Sequence, residues 1–390
     1  MLAAPAPASA WENDLGEVSL SESGGLSDRT LQALGTFSDV LGVRSTVMQS
    51  GTIRMTRVDR QLTTVQSFDP GFAVPMAFTA VDPAGAAPLL GPEITAALAG
   101  GVVMSDGSAG LRDARVGDEI TLEGWNGTLR RLQVTAIVPD EAISWSELVL
   151  SVDLAAELGI DRPSRAVMWG VNTTVVDFLA RAVLADAPIR VSGPGSESRP
   201  FVDWVLPMVQ VKERFGEFSY RETGTDRIET DDTWYEANII TVVIPQLGQF
   251  RCHREVLPFV MGALGELETR GLVGEIDMDD FQLAGGCYNA RLARGGDLNR
   301  GFALSRHSWG IAIDFNPSTN QFGEESTLSD EFGDVLRAWG FAWGAGWRVS
   351  DPMHFEWHAL PEDVSRSDCA TRLAATDPAG DGGWVEPVCP

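Results

Sequence analysis

The twelve residues Ser305–Asn316, SRHSWGIAIDFN, place a stronger condition on the fold than any other stretch of the chain. They contain His307, one of four histidines in 390 residues, and Asp314 seven positions later. Read as a strand, Ile311, Ile313 and Phe315 point to one face, suited to a core. Gly310, Ala312 and Asp314 point to the other, a face kept free of bulk. An acidic group on such a face suits the floor of an active site. Seven residues of straight strand span about 23 Å at roughly 3.3 Å each. Two side chains sharing one metal ion need Cα atoms within about 12 Å. If His307 and Asp314 act together, the chain must bend between them, and Gly310 is the residue able to absorb the bend.

A second stretch, DPMHFEWH (Asp351–His358), completes the pattern. Met353, Phe355 and Trp357 alternate with His354, Glu356 and His358, so a strand here has one core face and one polar face. Pro352 makes the local chain a turn or strand entry. His307, Asp314 and His354 supply two imidazoles and a carboxylate. Three such ligands with an open position form a catalytic zinc arrangement, which implies one Zn²⁺. Asp351 is the candidate base for a metal-activated water, and Glu356 is placed to steady an imidazole N–H from behind. Taken singly, each of these residues is more often structural than catalytic. The set carries the inference, because two of the four histidines each fall on a small or polar strand face beside an acid.

The segments GGCYNARLARGG, LSRHSWGIAIDFN and FGDVLRAWGFAWGAGWRVSDPMHFEW together resemble the VanY-type D-alanyl-D-alanine carboxypeptidases, across residues 245–360. These are zinc peptidases of bacterial cell-wall stem peptides, and their relatives include L-alanyl-D-glutamate endolysin peptidases. The family pattern Ser-x-His-x-x-Gly-x-Ala-x-Asp followed by Asp-x-x-His is met at Ser305, His307, Gly310, Ala312, Asp314, Asp351 and His354. The resemblance implies zinc ligation by His307, Asp314 and His354, with Asp351 as general base. It implies that Arg291 stabilises the oxyanion, a role for preorganised charge, and that Ser305 lies near the substrate. The implied activity is hydrolysis of peptidoglycan stem peptides, as a D,D-carboxypeptidase or an L-Ala-D-Glu type endopeptidase. Hedgehog-type signalling domains share the zinc-site architecture. The alternative is therefore a catalytically idle, zinc-stabilised cell-wall or partner-binding module, against which Asp351 and Arg291 argue.

The rest of the chain bounds the setting. Formal net charge is −26, with 55 acidic against 29 basic residues. That balance argues against nucleic acid as a partner and against a polybasic membrane-surface protein. The most apolar region, Phe72 to Met104, is broken by Asp82, Glu93 and several prolines, so no transmembrane helix is expected. Ala8-Ser9-Ala10 before Trp11 resembles the end of a secretory signal, although no apolar core precedes it. A flexible Ala/Pro leader is the other reading. Cys252, Cys287, Cys369 and Cys389 suit two local disulfides, Cys252–Cys287 and Cys369–Cys389. The other two connectivities, or four reduced thiols, remain compatible with the count. Disulfides place the protein in a secreted or extracytoplasmic compartment, here the envelope of a bacterium.

The expected fold class is α+β, with a C-terminal zinc peptidase domain built on a small antiparallel sheet with flanking helices. A separate α+β N-terminal domain precedes it. The expected divisions are a leader (1–20), an N-terminal domain (21–190), a Gly/Ser/Pro linker (191–200), the peptidase domain (201–365) and a disulfide-closed tail (366–390). In the N-terminal domain, Ser27 caps a helix to Leu41, TVMQSGTIRMTRV holds strands about a Ser-Gly turn, and Asn126-Gly127 joins a hairpin. SRAVMWGVNTTVVDFLARAVLAD reads as a strand and then a helix. In the C-terminal domain, extended segments such as ANIITVVIPQLGQFRC come first. A helix then runs from His253 to about Arg270, and a later one from Ser329 to Trp339. The stretch from Ser108 to Asp140 resembles the extracytoplasmic domains of ABC-transporter permeases of the macrolide-exporter type, which implies an interaction module with a membrane-protein partner. Trp339, Trp343 and Trp347 are candidate core or cleft-wall residues, with sugar stacking the weaker reading. A serine triad at Ser305 is disfavoured for want of a nucleophile elbow.

Overall fold

The computed structural model describes residues 16–22, 25–185, 187, 189–193, 205–224, 226–244, 248–280, 286–293, 303–347 and 350–359. The chain divides into two compact units, Met1–Ser198 with Gly296–Ala303, and Arg199–Gly295 with Leu304–Pro390. Both mix helices and strands, in agreement with the α+β expectation. Among the described residues no helix is long and apolar enough to cross a membrane.

The N-terminal unit is organised by one long strand. It contains β1 (Gly16–Glu22), β2 (Arg44–Arg60), β3 (Thr63–Ser67), β4 (Val74–Val81), β5 (Val102–Ser105), β6 (Glu119–Glu123), β7 (Leu129–Val138), β8 (Leu148–Ser151), β9 (Arg165–Val171) and β10 (Ile189–Ser192). The ladder β2–β4–β8–β5–β7–β6 returns to β2 and closes a six-stranded barrel. Closure is possible because the 17-residue β2 pairs β4 through Met48–Met55 and β6 through Arg54–Asp59. Ile53, Met55, Met76, Phe78, Leu122 and Leu148 fill the interior. The first half of β2 continues into β9, β1 and β10, against which the helices Asp28–Leu41 and Thr173–Val183 pack.

Several local expectations hold here. Ser27 Oγ accepts from Thr30 N at 3.3 Å and caps the first helix, and Gly127 sits at φ +74° in the β6–β7 hairpin. The Ser-Gly turn does not form. Ser50 and Gly51 lie inside β2, opposite Thr79 and Phe78 of β4, because the continuous β4 ladder outweighs a local turn preference. β1 begins at Gly16, inside the stretch read as leader, and β10 runs into the expected linker as far as Ser192. Residues 194–200 lie outside the described residues.

The C-terminal unit opens with a helix, Met208–Phe215, where extended chain was expected. Two hairpins follow, β11 (Tyr220–Glu222) with β12 (Ile228–Thr230), and β13 (Ile239–Ile244) with β14 (Gly248–His253), the helix Asp232–Asn238 lying between them. The helix expected from His253 begins at Leu257 and ends at Thr269. Pro258 fits its first turn, where a missing N–H costs nothing, and the His253 N–H donates instead to Gly310 O at 2.9 Å. The last sheet has three antiparallel strands, β15 (Ala312–Asp314), β16 (Phe341–Trp343) and β17 (His354–Trp357), in the order β15–β17–β16. The helix Asp330–Ala338, capped by Ser329, packs beside it.

One face of this sheet carries an aromatic core. Trp343 stacks on Phe355 with ring centroids 5.4 Å apart, and Phe315, Phe332 and Phe355 meet edge to face or tilted. Phe215 and Phe259 close on Trp357. Each such side chain contributes about 1.5–3 kcal/mol when fully buried. That stabilisation offsets the cost of the ionisable groups on the opposite face of the same strands.

Candidate metal centre

Gly310 makes the bend that the spacing of His307 and Asp314 requires. Residues Arg306–Trp309 form a 3₁₀ turn, and Ser305 Oγ caps it by accepting from His307 N at 3.4 Å. Gly310 ends the turn at φ +69°, and a Cβ there would stand 2.7 Å from His253 N. Both the left-handed conformation and the close approach therefore require glycine. After the bend, β15 carries Asp314 away from the turn and back under His307.

Register then delivers the third group. In the β15–β17 ladder, Asp314 pairs directly with His354, Ile313 with Phe355 and Ala312 with Glu356. Directly opposed residues share a face with Cβ atoms about 5 Å apart. One face therefore carries Asp314, His354 and Glu356, with Ala312 and Ala342 on either side of Glu356. The two-face alternation read from the sequence is present. The face is not open, however, since Ala312 and Glu356 are buried. The Arg306 guanidinium covers it, 3.5 Å from Glu356 Oε1 and bonded to Leu206 O at 2.5 Å.

The hydrogen bonds assign the protons. His307 Nδ1 lies 3.0 Å from Cys287 O, which can only accept, so Nδ1 carries the hydrogen. Its other nitrogen, Nε2, lies 3.0 Å from Asp314 Oδ1. His354 Nε2 lies 3.2 Å from Glu356 Oε2 and donates to it. Its Nδ1 also faces Asp314 Oδ1, at 3.0 Å. One nitrogen of each ring thus aims at one carboxylate oxygen, an arrangement that suits a bound metal ion and that ring protons also satisfy. The three ligand atoms lie within 4.8 Å of one another. A divalent metal bound by two imidazoles and a carboxylate fits this donor set, with Cys287 O and Glu356 orienting the rings from behind.

The same acceptors stabilise positive charge on His354. Burial disfavours charge on His354, but Asp314 and Glu356 outweigh it and push the imidazole up to about 10. Burial also raises Asp314, yet the charges and hydrogen bonds of His307 and His354 hold it well below the usual carboxylate range. Glu356 is likewise lowered against its burial, by His354 and Arg306. The side chain of Asp314 keeps 16% exposure against 3% for His307 and 8% for His354, so the centre opens on the aspartate side.

Asp351 stands at that centre without joining the ligands. Its N–H donates to Gly344 O at 2.9 Å, and its carbonyl accepts from His354 N at 3.0 Å, which ties it to the entry of β17. Its Oδ1 is buried with no hydrogen-bond partner among the described residues. Burial raises its pKa, against the lowering influence of His354 and Arg291. Arg291 is itself buried. Ser308 Oγ accepts from Arg291 N and donates to Arg291 O, at 3.1 and 2.9 Å, and so couples its backbone to the 3₁₀ turn.

The structure thus brings His307, Asp314, His354, Glu356, Asp351 and Arg291 into one electrostatic neighbourhood. Ser305 is placed as the cap of the turn. Cys252 and Cys287 form a disulfide, while Cys369 and Cys389 lie outside the described residues. Sequence reasoning missed the Cys287 carbonyl, Ser308 and Arg306. Backbone acceptors leave no side-chain signature, and Arg306 acts through partners about a hundred residues away. Trp339 and Trp343 are buried, and the half-buried Trp347 lies 5.4 Å from the His354 ring.

His307, Asp314 and His354 offer a donor set that could hold one metal ion. Residues 299–357, the segment that holds all three ligand-type residues and Asp351, match the family model for D-alanyl-D-alanine carboxypeptidase. That agrees with the VanY-type resemblance, over a segment well under half of the chain. No curated protein sequence matches the chain.

Proposed function

We propose that the protein is a zinc-dependent peptidase that hydrolyses peptidoglycan stem peptides, as a D,D-carboxypeptidase or an L-Ala-D-Glu type endopeptidase. The observation that carries this reading is the convergence of His307 Nε2 and His354 Nδ1 on Asp314 Oδ1 within the segment that matches the carboxypeptidase family. When bound by His307, Asp314 and His354, zinc supplies a Lewis acid and lowers the pKa of a coordinated water. Asp351 takes the proton of the attacking water and returns it to the leaving amine, a role suited to a buried carboxylate of raised pKa. Arg291 places fixed positive charge where the scissile carbonyl oxygen gains charge. Glu356 holds the His354 ring with its Nδ1 facing Asp314.

The setting belongs to the same proposal. A disulfide and stem-peptide chemistry suit a secreted or extracytoplasmic protein of a bacterial envelope. The functional divisions are the peptidase domain (201–365) and an N-terminal module (21–190) that contributes none of the site residues and serves a membrane-protein partner. Mass spectrometry of muropeptides after incubation, with and without a chelator, tests the activity. Chelator-sensitive release of D-Ala identifies a carboxypeptidase, and cleavage after L-Ala the endopeptidase. No mass change under any metal condition would overturn the reading in favour of an idle binding module. His307→Ala is expected to lose both bound zinc and turnover, and retention of both would equally sink it.

A further inference from the structure

We propose that the Cys252–Cys287 disulfide is a positioning element of the metal centre, so that metal affinity depends on that bond. The inference rests on the metal-centre reading above and concerns how His307 is aimed. The peptide group between Cys287 and Tyr288 is used at both ends. Tyr288 N donates to Arg251 O at 2.9 Å, while Cys287 O accepts from His307 Nδ1 at 3.0 Å. This one peptide plane therefore connects strand β14 to a ligand ring and selects its tautomer.

The neighbouring bonds act on other groups: Asn289 N donates to His307 O at 2.9 Å, and Ser305 N to Arg291 O at 3.1 Å, so they hold the backbone of the turn and not the imidazole. Among the described residues, the segment 286–293 forms no helix or ladder of its own. Its strand-like pairing consists of single bridges, Arg251 with Gly286, Arg227 with Arg291 and Leu292 with Leu304. The disulfide pins Cys287 to Cys252 in β14 with Cα atoms 4.7 Å apart, and both residues are fully buried. β14 also holds the far end of the ligand turn, through His253 N to Gly310 O at 2.9 Å. The strand thus grips the turn that carries His307 from two sides, and the disulfide is the covalent half of the grip. Without it, Cys287 N and Tyr288 N still bond Arg251 O. The fold is then expected to survive while the carbonyl and the imidazole it orients gain freedom.

The test uses the full-length Cys252→Ala/Cys287→Ala variant, which keeps the carbonyl and removes only the covalent link. Zn²⁺ affinity is measured by chelator competition, the ligand field by the visible absorption of the Co²⁺ form, and folding by the denaturation midpoint. The expected result is a folded variant that binds Zn²⁺ about 10–100-fold more weakly, the usual effect of disturbing an orienting partner, with altered Co²⁺ bands. A folded variant with wild-type affinity and spectrum overturns the proposal. If the variant does not fold, the same measurements are made on wild-type protein before and after reduction by a water-soluble phosphine. The phosphine is oxidised to its oxide with oxygen from water as the disulfide takes up two electrons and two protons. Unfolding in that case too overturns the proposal, since the bond would then hold the fold and not the ligand. Absence of Zn²⁺ and Co²⁺ binding by the oxidised wild type is a different result, and it overturns the metal-centre reading itself.

Discussion

At the scale of single residues, three of the four histidines divide by what their ring nitrogens face. His307 and His354 each give one nitrogen to an orienting acceptor and one to Asp314. His253 instead sits against Phe215 and Trp234, and its Nδ1 accepts from Glu255 N at 3.3 Å. Burial pushes His253 down to about 4 from an ordinary value of 6.5. The unfolded chain therefore binds a proton that the folded one refuses as pH falls through this interval. The stability this histidine contributes is complete above pH 6.5 and is lost on descent to about 4, up to roughly 3 kcal/mol in all. Replacing His253 by Phe is expected to flatten the pH dependence of the denaturation midpoint between those values, and an unchanged slope would refute the assignment. Asp351 offers a second residue-scale prediction. Asp351→Asn is expected to keep bound zinc and to lower kcat by about 10²–10⁴. Loss of zinc with the activity would make Asp351 a ligand and not a base.

At the scale of elements, the centre depends on a turn and a ladder meeting in one register. The turn Arg306–Trp309 is legible in its parts, with a serine cap before it and a glycine after it. Gly310 is where the two constraints coincide, and Gly310→Ala tests them. A side chain at φ +69° costs roughly 1–2 kcal/mol, and the added Cβ would press on His253 N. The variant is expected to lose at least that much stability in denaturant titration and to bind zinc more weakly. Full stability would show that the bend tolerates a side chain. The alternation in Asp351–His358 predicts which residues share a face but not what covers it. Glu356 was assigned a supporting role for an imidazole, and the ladder puts it two residues from His354 on the same face. The arginine that neutralises it lies beside His307 in sequence and gave no signal of its own.

At the scale of the whole molecule, the two units carry separate cores and different kinds of sheet. The closed barrel of the N-terminal unit was not foreseen, because closure depends on β2 being one continuous strand. The Ser-Gly pair within it reads locally as a turn. The proposed division of labour predicts that residues 201–390 and the full chain cleave muropeptides at different rates when the N-terminal module regulates the enzyme. Equal rates, with no membrane protein captured by the N-terminal part, would count against regulation.

The amino-acid sequence by itself determined the chemistry of the donors, the faces they occupy and the need for a bend at Gly310, since side-chain period and glycine conformation are local properties. Only the tertiary structure decided that Asp314 stands opposite His354, that Cys287 O and Glu356 each take one nitrogen of the two rings, and that Arg306 closes the face behind them. Register and proton position depend on partners brought together from 20, 40 and 100 residues away, and no local pattern of residue types specifies which backbone acceptor a buried imidazole will meet.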